Sequence, residues 1–519
     1  MKTTIHRTVA QKLIRLTRTT TMAALLIALA TGSVACANQR EIDHNQPMML
    51  LWFLIMADPL APLTDYDFSI LPNEQKYRVA NRMLGSMYSG ISLDKLFDVE
   101  NGLDNRVLKP KYANFMTGVN LRMHRNLRPE ERVRFDGEVA ANSFREAAQG
   151  RPLAQFHHFP VTKDRFDIWM TYVLLNSVQY SPGRELDSVE DEDMDRVFQR
   201  LLRGISADRP IREILYEHMV SQENWRRFRS PEDNTREMME IYNGHFHDED
   251  VPKASKACQN WSLNRDNELV IGGNANTEPQ LLALARPGQA ITSCEDFYAT
   301  VANHDLVPGV AGFVLIQRFF PQLTEAEQRD MALWILLRKP VTYRDIFLTI
   351  LNSRSYLLTA ERGRYFEESF YNFRAKTGWS APSNFFRDLP NRMADMRQEV
   401  FELKLGRERP APVDSLSLAH HHTRLRESGA LDQKRDPNNP NDGGWSSELM
   451  NAPVADGEYL RFLFLSIVER EPYPQELATL QEIIADQGFT IARNKDRVTS
   501  IALDYFSRLP ELYTYPAVF

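Results

Sequence analysis

The stretch NTREMMEIYNGHFHDEDVPKASKACQNW, Asn234 to Trp261, is where residue types and spacing come closest to chemistry. Within it, His245, His247, Asp248, Glu249 and Asp250 form the one dense cluster of metal-ligand side chains in the sequence. A His-x-His pair flanked by carboxylates can hold zinc, and a zinc-bound water would make the turn a metal-dependent hydrolase. No third ligand lies at a diagnostic spacing, however. The same residues suit a helical hairpin. Asn243-Gly244 fits a left-handed cap ending one helix, and the acids would open the next, with Pro252 in its first turn. The expectation is capping and a solvated turn, and metal binding by His245, His247, Asp248 and Asp250 is the alternative.

Upstream in the same stretch, Arg236 and Glu240 stand at i, i+4 and Glu237 and Glu240 at i, i+3. An exposed pair of this kind contributes only about 0.2–0.5 kcal/mol, whereas breaking a buried one costs several kcal/mol. His157-His158 and His420-His421-His422 sit in loop-like surroundings and read as solvated loop residues. The sequence holds no Gly-rich phosphate loop, G-x-S-x-G, H-E-x-x-H or C-x-x-C-H haem motif. No catalytic residue and no cofactor is therefore assigned.

The elements that would position these residues read as helices. DEDMDRVFQRLLRGI places Met194, Val197, Phe198, Leu201 and Leu202 on one apolar stripe. In LTEAEQRDMALWILL, Thr324 is a natural N-cap, with Glu325 and Glu327 in the first turn. Period-two alternation is scarce, so the fold class is all-α, a multi-helix bundle. Four loosely similar units, near residues 48, 168, 310 and 459, each run an apolar helix to a proline, then an amphipathic helix, a polar turn and a third helix. Length alone calls for two or more packed units. The expected division is a leader (1–35), a tether (36–47), an N-terminal helical region (48–165), a main helical domain (166–404), a Pro/Asn/Asp/Gly-rich connector (405–456) and a small C-terminal helical unit (457–519).

The first 35 residues carry Lys2, Arg7, Lys12, Arg15 and Arg18, no acid, and then the run MAALLIALATGSVA. That run is shorter than the roughly 20 apolar residues a bilayer requires, so it reads as an export signal. It ends in SVACANQ, similar to the cleavage box of bacterial lipoproteins with Cys36 as lipid acceptor. Ser33 departs from the usual aliphatic residue, which leaves ordinary cleavage after Ala35 or Ala37 open. The expected location is the periplasmic side of the outer membrane or the cell surface as a lipoprotein, otherwise the periplasm. MMLLWFLIMA, ten apolar residues after Pro47, is too short to span and reads as a buried helix.

Loss of the leader changes 62 bases against 69 acids into 57 against 69, a net charge of −12. A chain so acidic is a poor nucleic-acid binder. In an oxidising compartment Cys258 and Cys294 are expected to pair, with two buried thiols as the alternative.

NTREMMEIY followed by DEDVPKASKACQNW resembles the central signature of the bacterial domain of unknown function 1800 family. Asn234, Arg236, Glu237, Glu240, Asp250, Val251 and Trp261 take the corresponding places. NRDNELVIGG, FYATVANHDLVPGVAGFVLIQRFF and DIFLTILNSRSYL are similar to later family segments, so the likeness spans roughly residues 165–400. Asn260 replaces the usual Gly before Trp261, and FDIWMTYVLL stands where the family has Phe-Trp-x-x-His-Phe, without the histidine. The resemblance implies an exported helical protein of unestablished activity, often encoded beside a secreted sulfatase- or phosphatase-like partner. The expectation is a non-catalytic binding or assembly module at the cell envelope; the alternative is the hydrolase using the His245/His247 turn.

Overall fold

The helix α1 (Asp65–Ser69) opens on Thr64, whose hydroxyl accepts the Asp67 N–H while the Asp67 carboxylate accepts the Thr64 N–H. This reciprocal cap recurs along the chain. The computed structural model describes residues 58–91, 114–142, 149–182, 191–244, 246–382, 385–401, 415–433, 443–452 and 454–518. The leader, Cys36, the tether, the MMLLWFLIMA run and His245 lie outside the described residues, as does the first of the four expected units at its start.

The described chain is mostly helical, as its periodicity predicts. After α1 come α2 (Asn73–Ser86), α3 (Phe115–His124), α4 (Pro129–Asn142), α5 (Gly150–His158) and α6 (Lys163–Leu175). Next follow α7 (Asp191–Ser206), α8 (Ile211–Met219), α9 (Gln222–Arg227), α10 (Pro231–Asn243) and α11 (Asp250–Ala257). A small hairpin of β1 (Trp261–Leu263) and β2 (Leu269–Ile271) precedes α12 (Cys294–Ala302), α13 (Val307–Phe319), α14 (Glu325–Leu337) and α15 (Tyr343–Leu351). The chain continues through β3 (Arg362–Gly363), α16 (Phe366–Thr377), α17 (Phe385–Ala394), α18 (Ser415–Glu427), α19 (Tyr459–Leu463), α20 (Pro474–Asp486), α21 (Lys495–Phe506) and β4 (Thr514–Tyr515).

Local sequence explains the helices individually. On α7, Met194, Val197, Phe198 and Leu201 are buried, as the stripe requires, and Leu202 is half-buried. On α14, the Thr324 and Glu327 capping box forms. α6 is buried around its whole circumference from Arg165 to Leu175, the mark of a central helix. α7, α5, α3 and α15 pack around it. α13 and α14 form a close hairpin, where a Cβ on Gly312 would come within 2.8 Å of Ile335. No single described helix is long and apolar enough to cross a membrane; α12 and α13 reach that composition only as a pair bent by 63°.

Pro59–Phe519 clusters as one compact unit, and the sequence divisions at 165, 404 and 456 run through it. The C-terminus is woven into the middle of the chain: β4 pairs antiparallel with β3, Arg362 opposite Tyr515. Around that pair lies a buried charge network. Arg362 makes a bidentate pair with Glu368 (2.6 and 2.7 Å) and donates to the Tyr356 hydroxyl. Glu469 accepts from Lys376 (2.5 Å) and Arg364 (3.4 Å). Arg82 on α2 reaches the Tyr356 and Pro516 carbonyls.

The stretch expected to be an irregular connector holds a helix, α18. Leu418, His421 and Leu425 fall at i, i+3, i+7 between Ser415 and Glu427, without an internal Gly or Pro. His421 is accordingly buried in contact with Phe366 and Tyr513, not solvated in a loop. His157 and His158 likewise end helix α5, and His157 is 5% exposed. Nothing in either histidine run signals its burial, which comes from helices far away in the chain.

Candidate functional site

Ser230 caps α10, accepting the Asp233 N–H, with Pro231 in the first turn. The helix stops at Gly244, whose φ of +75° is a backbone state that side-chained residues rarely adopt. Asp250 then opens α11. These are the ends expected from the sequence, and the side chains between them act as joints. Asn234 is fully buried; its carbonyl oxygen accepts the Tyr298 hydroxyl at 2.8 Å, tying α10 to α12. Asp250 is also fully buried, and its two oxygens accept the Ala283 and Leu284 N–H groups at 2.9 and 3.1 Å. The Trp261 ring packs between Trp225 and Tyr298. Cys258, at the end of α11, and Cys294, at the start of α12, form a disulfide.

The Arg236 side chain is 41% exposed and pairs with Asp233 (2.9 Å) and Glu237 (2.6 Å), with Glu240 at 3.9 Å. Burial raises the Glu237 carboxyl, and Arg236 opposes the rise. Val251 is buried, while His247, Asp248 and Glu249 are exposed. Among the described residues no three His, Cys, Asp or Glu side chains converge to hold a metal ion.

A cleft of about 850 Å³ lies elsewhere, between α2, α3, α4, the end of α5, the start of α6 and the end of α16. None of the signature residues lines it. Close backbone approach shapes one wall: a Cβ on Gly90 would meet Ala375 and the Asn372 carbonyl at 3.0 and 3.2 Å. α16 ends at Gly378 with φ +63°, which turns the chain so that Trp379 joins the lining.

The electrostatics of this cleft are unusual. Arg165 is 5% exposed and donates to the Phe159 carbonyl (2.6 Å) and the Tyr88 carbonyl. Burial pushes its guanidinium down to about 9, and the neighbouring charge of Arg374 adds to the shift. Arg374 is itself pushed down to about 10 by burial, opposed by Tyr371 and Glu138. Its Nε has no hydrogen-bond partner. Burial, then Arg374, holds the His157 imidazole well below its ordinary value, so it is neutral at pH 7. The His157 Nδ1 is buried without a hydrogen-bond partner. His158 lies 3.2 Å from Glu138 and is lowered by burial and Arg374, against the pull of that carboxylate. Arg122 and Arg125 stand exposed at the mouth.

Three other buried arginines meet carboxylates directly. Arg226 meets Asp193 at 2.7 Å, Arg344 meets Asp167, and Arg362 meets Glu368. Arg82 shares the carbonyl-only solution of Arg165 but lines no such cleft. A buried cation without a carboxylate is costly, and where it borders a cleft it marks a candidate ligand site. The arrangement can hold an oxyanion. Sequence reasoning missed it, because Arg165 and Arg374 lie more than two hundred residues apart in the chain.

No family model, no curated protein and no solved structure matches the chain.

Proposed function

We propose that the protein is an exported, lipid-anchored helical binding module of the bacterial cell envelope, without a catalytic role, and that its ligand seats in the cleft between α5 and α16. The observation that carries this reading is the cleft itself: about 850 Å³, within the range of small-molecule sites, with a lining that mixes aromatic and aliphatic side chains with arginines and histidines. The leader and the SVACANQ box support export and anchoring at Cys36. The likeness of Asn234–Trp261 to the exported helical family supports the same location, with a secreted sulfatase- or phosphatase-like protein as candidate partner.

Two measurements test the reading together. Cys36→Ser is expected to move the protein from the membrane to the soluble fraction of broken cells. Native mass spectrometry of the wild type, released from envelopes in mild detergent, is expected to show a small bound species that departs on unfolding. A protein that stays membrane-bound as Cys36→Ser contradicts the anchor. A protein that emerges empty contradicts the binding role.

A further inference from the structure

We infer that the α5–α16 cleft binds a small molecule bearing a carboxylate, phosphate or sulfate group, seated between Arg374 and Arg165 with its uncharged body against the aromatic wall. The inference rests on the binding-module reading and specifies its ligand class.

Charge is the first argument. The described lining carries four arginines, Arg122, Arg125, Arg165 and Arg374, against two glutamates, in a chain whose net charge is −7. Of the glutamates, Glu131 is already paired with Arg128 at 2.9 Å, and Glu448 is exposed at the edge. The Arg374 side chain has neither an ion pair nor a hydrogen bond among the described residues. Arg165 spends its donors on two carbonyls and leaves Nε unpartnered. Glu138 partly balances Arg374 but sits against His158. Two guanidiniums in mutual repulsion, Arg165 buried and Arg374 half-buried, gain from an anion placed between them, because charge-assisted bonds strengthen where the dielectric is low.

The neutral partner is the second argument. His157 lines the cleft, is held by ring contacts with Trp379 (5.5 Å) and Phe386 (5.1 Å), and keeps a buried Nδ1 without a hydrogen-bond partner. As a neutral imidazole it can bond a ligand hydroxyl or the oxyanion itself. Phe135, Phe159 and Trp379 complete a wall suited to a sugar ring or a short aliphatic chain.

Calorimetry on the mature protein in mild detergent tests the inference with paired probes: glucose 6-phosphate against glucose, and octanoate against octanol. At least one charged member is expected to bind about tenfold or more tighter than its neutral partner, the scale of one charged hydrogen bond. Arg374→Gln is expected to erase that preference and Arg374→Lys to keep part of it. Should Arg374→Gln fail to fold, the exposed pair Arg122→Glu/Arg125→Glu carries the test, with an expected loss of about threefold or more for the charged probe alone. Equal affinity for charged and neutral probes, or arginine variants that leave the preference intact, overturns the anion assignment while the binding role stands. Binding by none of the four probes overturns the assignment, and the native mass measurement then decides the binding role separately.

Discussion

Asp250 separates a structural turn from a metal site most sharply. Its carboxylate is fully buried and accepts two backbone N–H groups, from Ala283 and Leu284, with the Lys253 ammonium 3.7 Å away. In Asp250→Asn, one oxygen becomes an amide donor facing a backbone donor. One hydrogen bond is lost, its N–H is left buried, and the other bond loses its charge. At about 1–3 kcal/mol for the stranded group and about 1 kcal/mol for the weakened bond, the substitution costs about 2–4 kcal/mol. His247→Ala and Asp248→Ala touch exposed side chains and are expected to stay within about 0.5 kcal/mol. Urea unfolding followed by tryptophan fluorescence reads all three, since Trp225 and Trp261 lie in the same joint. A bound ion at the turn predicts something different: the three variants would lose comparable stability, and a chelator would lower the wild-type midpoint. Comparable losses together with chelator sensitivity would refute the structural account.

Further expectations follow from the same coordinates. Reduction of the Cys258–Cys294 bridge, or Cys294→Ser, opens a loop of 36 residues and is expected to cost about 4 kcal/mol in the chain-entropy model, read as a fall in the unfolding midpoint under reducing conditions. Glu368→Gln strands the fully buried Arg362 and is expected to cost about 3–5 kcal/mol, whereas Arg362→Met/Glu368→Leu recovers much of it in the same denaturation assay. His421 is pushed down to about 3 by burial, against an ordinary value near 6.5. Between those two pH values the unfolded chain holds the extra proton, so His421 contributes stability that is fully present above pH 6.5 and is lost as pH falls. The loss approaches about 4 kcal/mol by pH 3, and His421→Leu is expected to flatten the thermal-stability profile by about that amount.

Much of the scaffold was legible in the sequence because its signals are local. The Thr324 capping box, the stripe from Met194 to Leu201 and the left-handed stop at Gly244 each depend on residues within two turns of one another. The cysteine pairing needed only a compartment and a count. His157, His158 and His421 read differently because burial is decided by distant partners: Trp379 and Phe386 cover His157, and Phe366 and Tyr513 cover His421. The cleft is the extreme case. Arg165 starts a central helix and Arg374 ends another, and neither FHHFPVTKDRF nor YNFRAKTGW hints that the two charges meet.

Crystals of the protein soaked in selenate, with the anomalous scattering of selenium mapped, test the central claim most directly. The account predicts a peak in the α5–α16 cleft, within hydrogen-bond reach of the Arg374 and Arg165 guanidiniums, and none at the His247–Asp250 turn. A bare cleft in crystals that carry selenate on other arginines would contradict it.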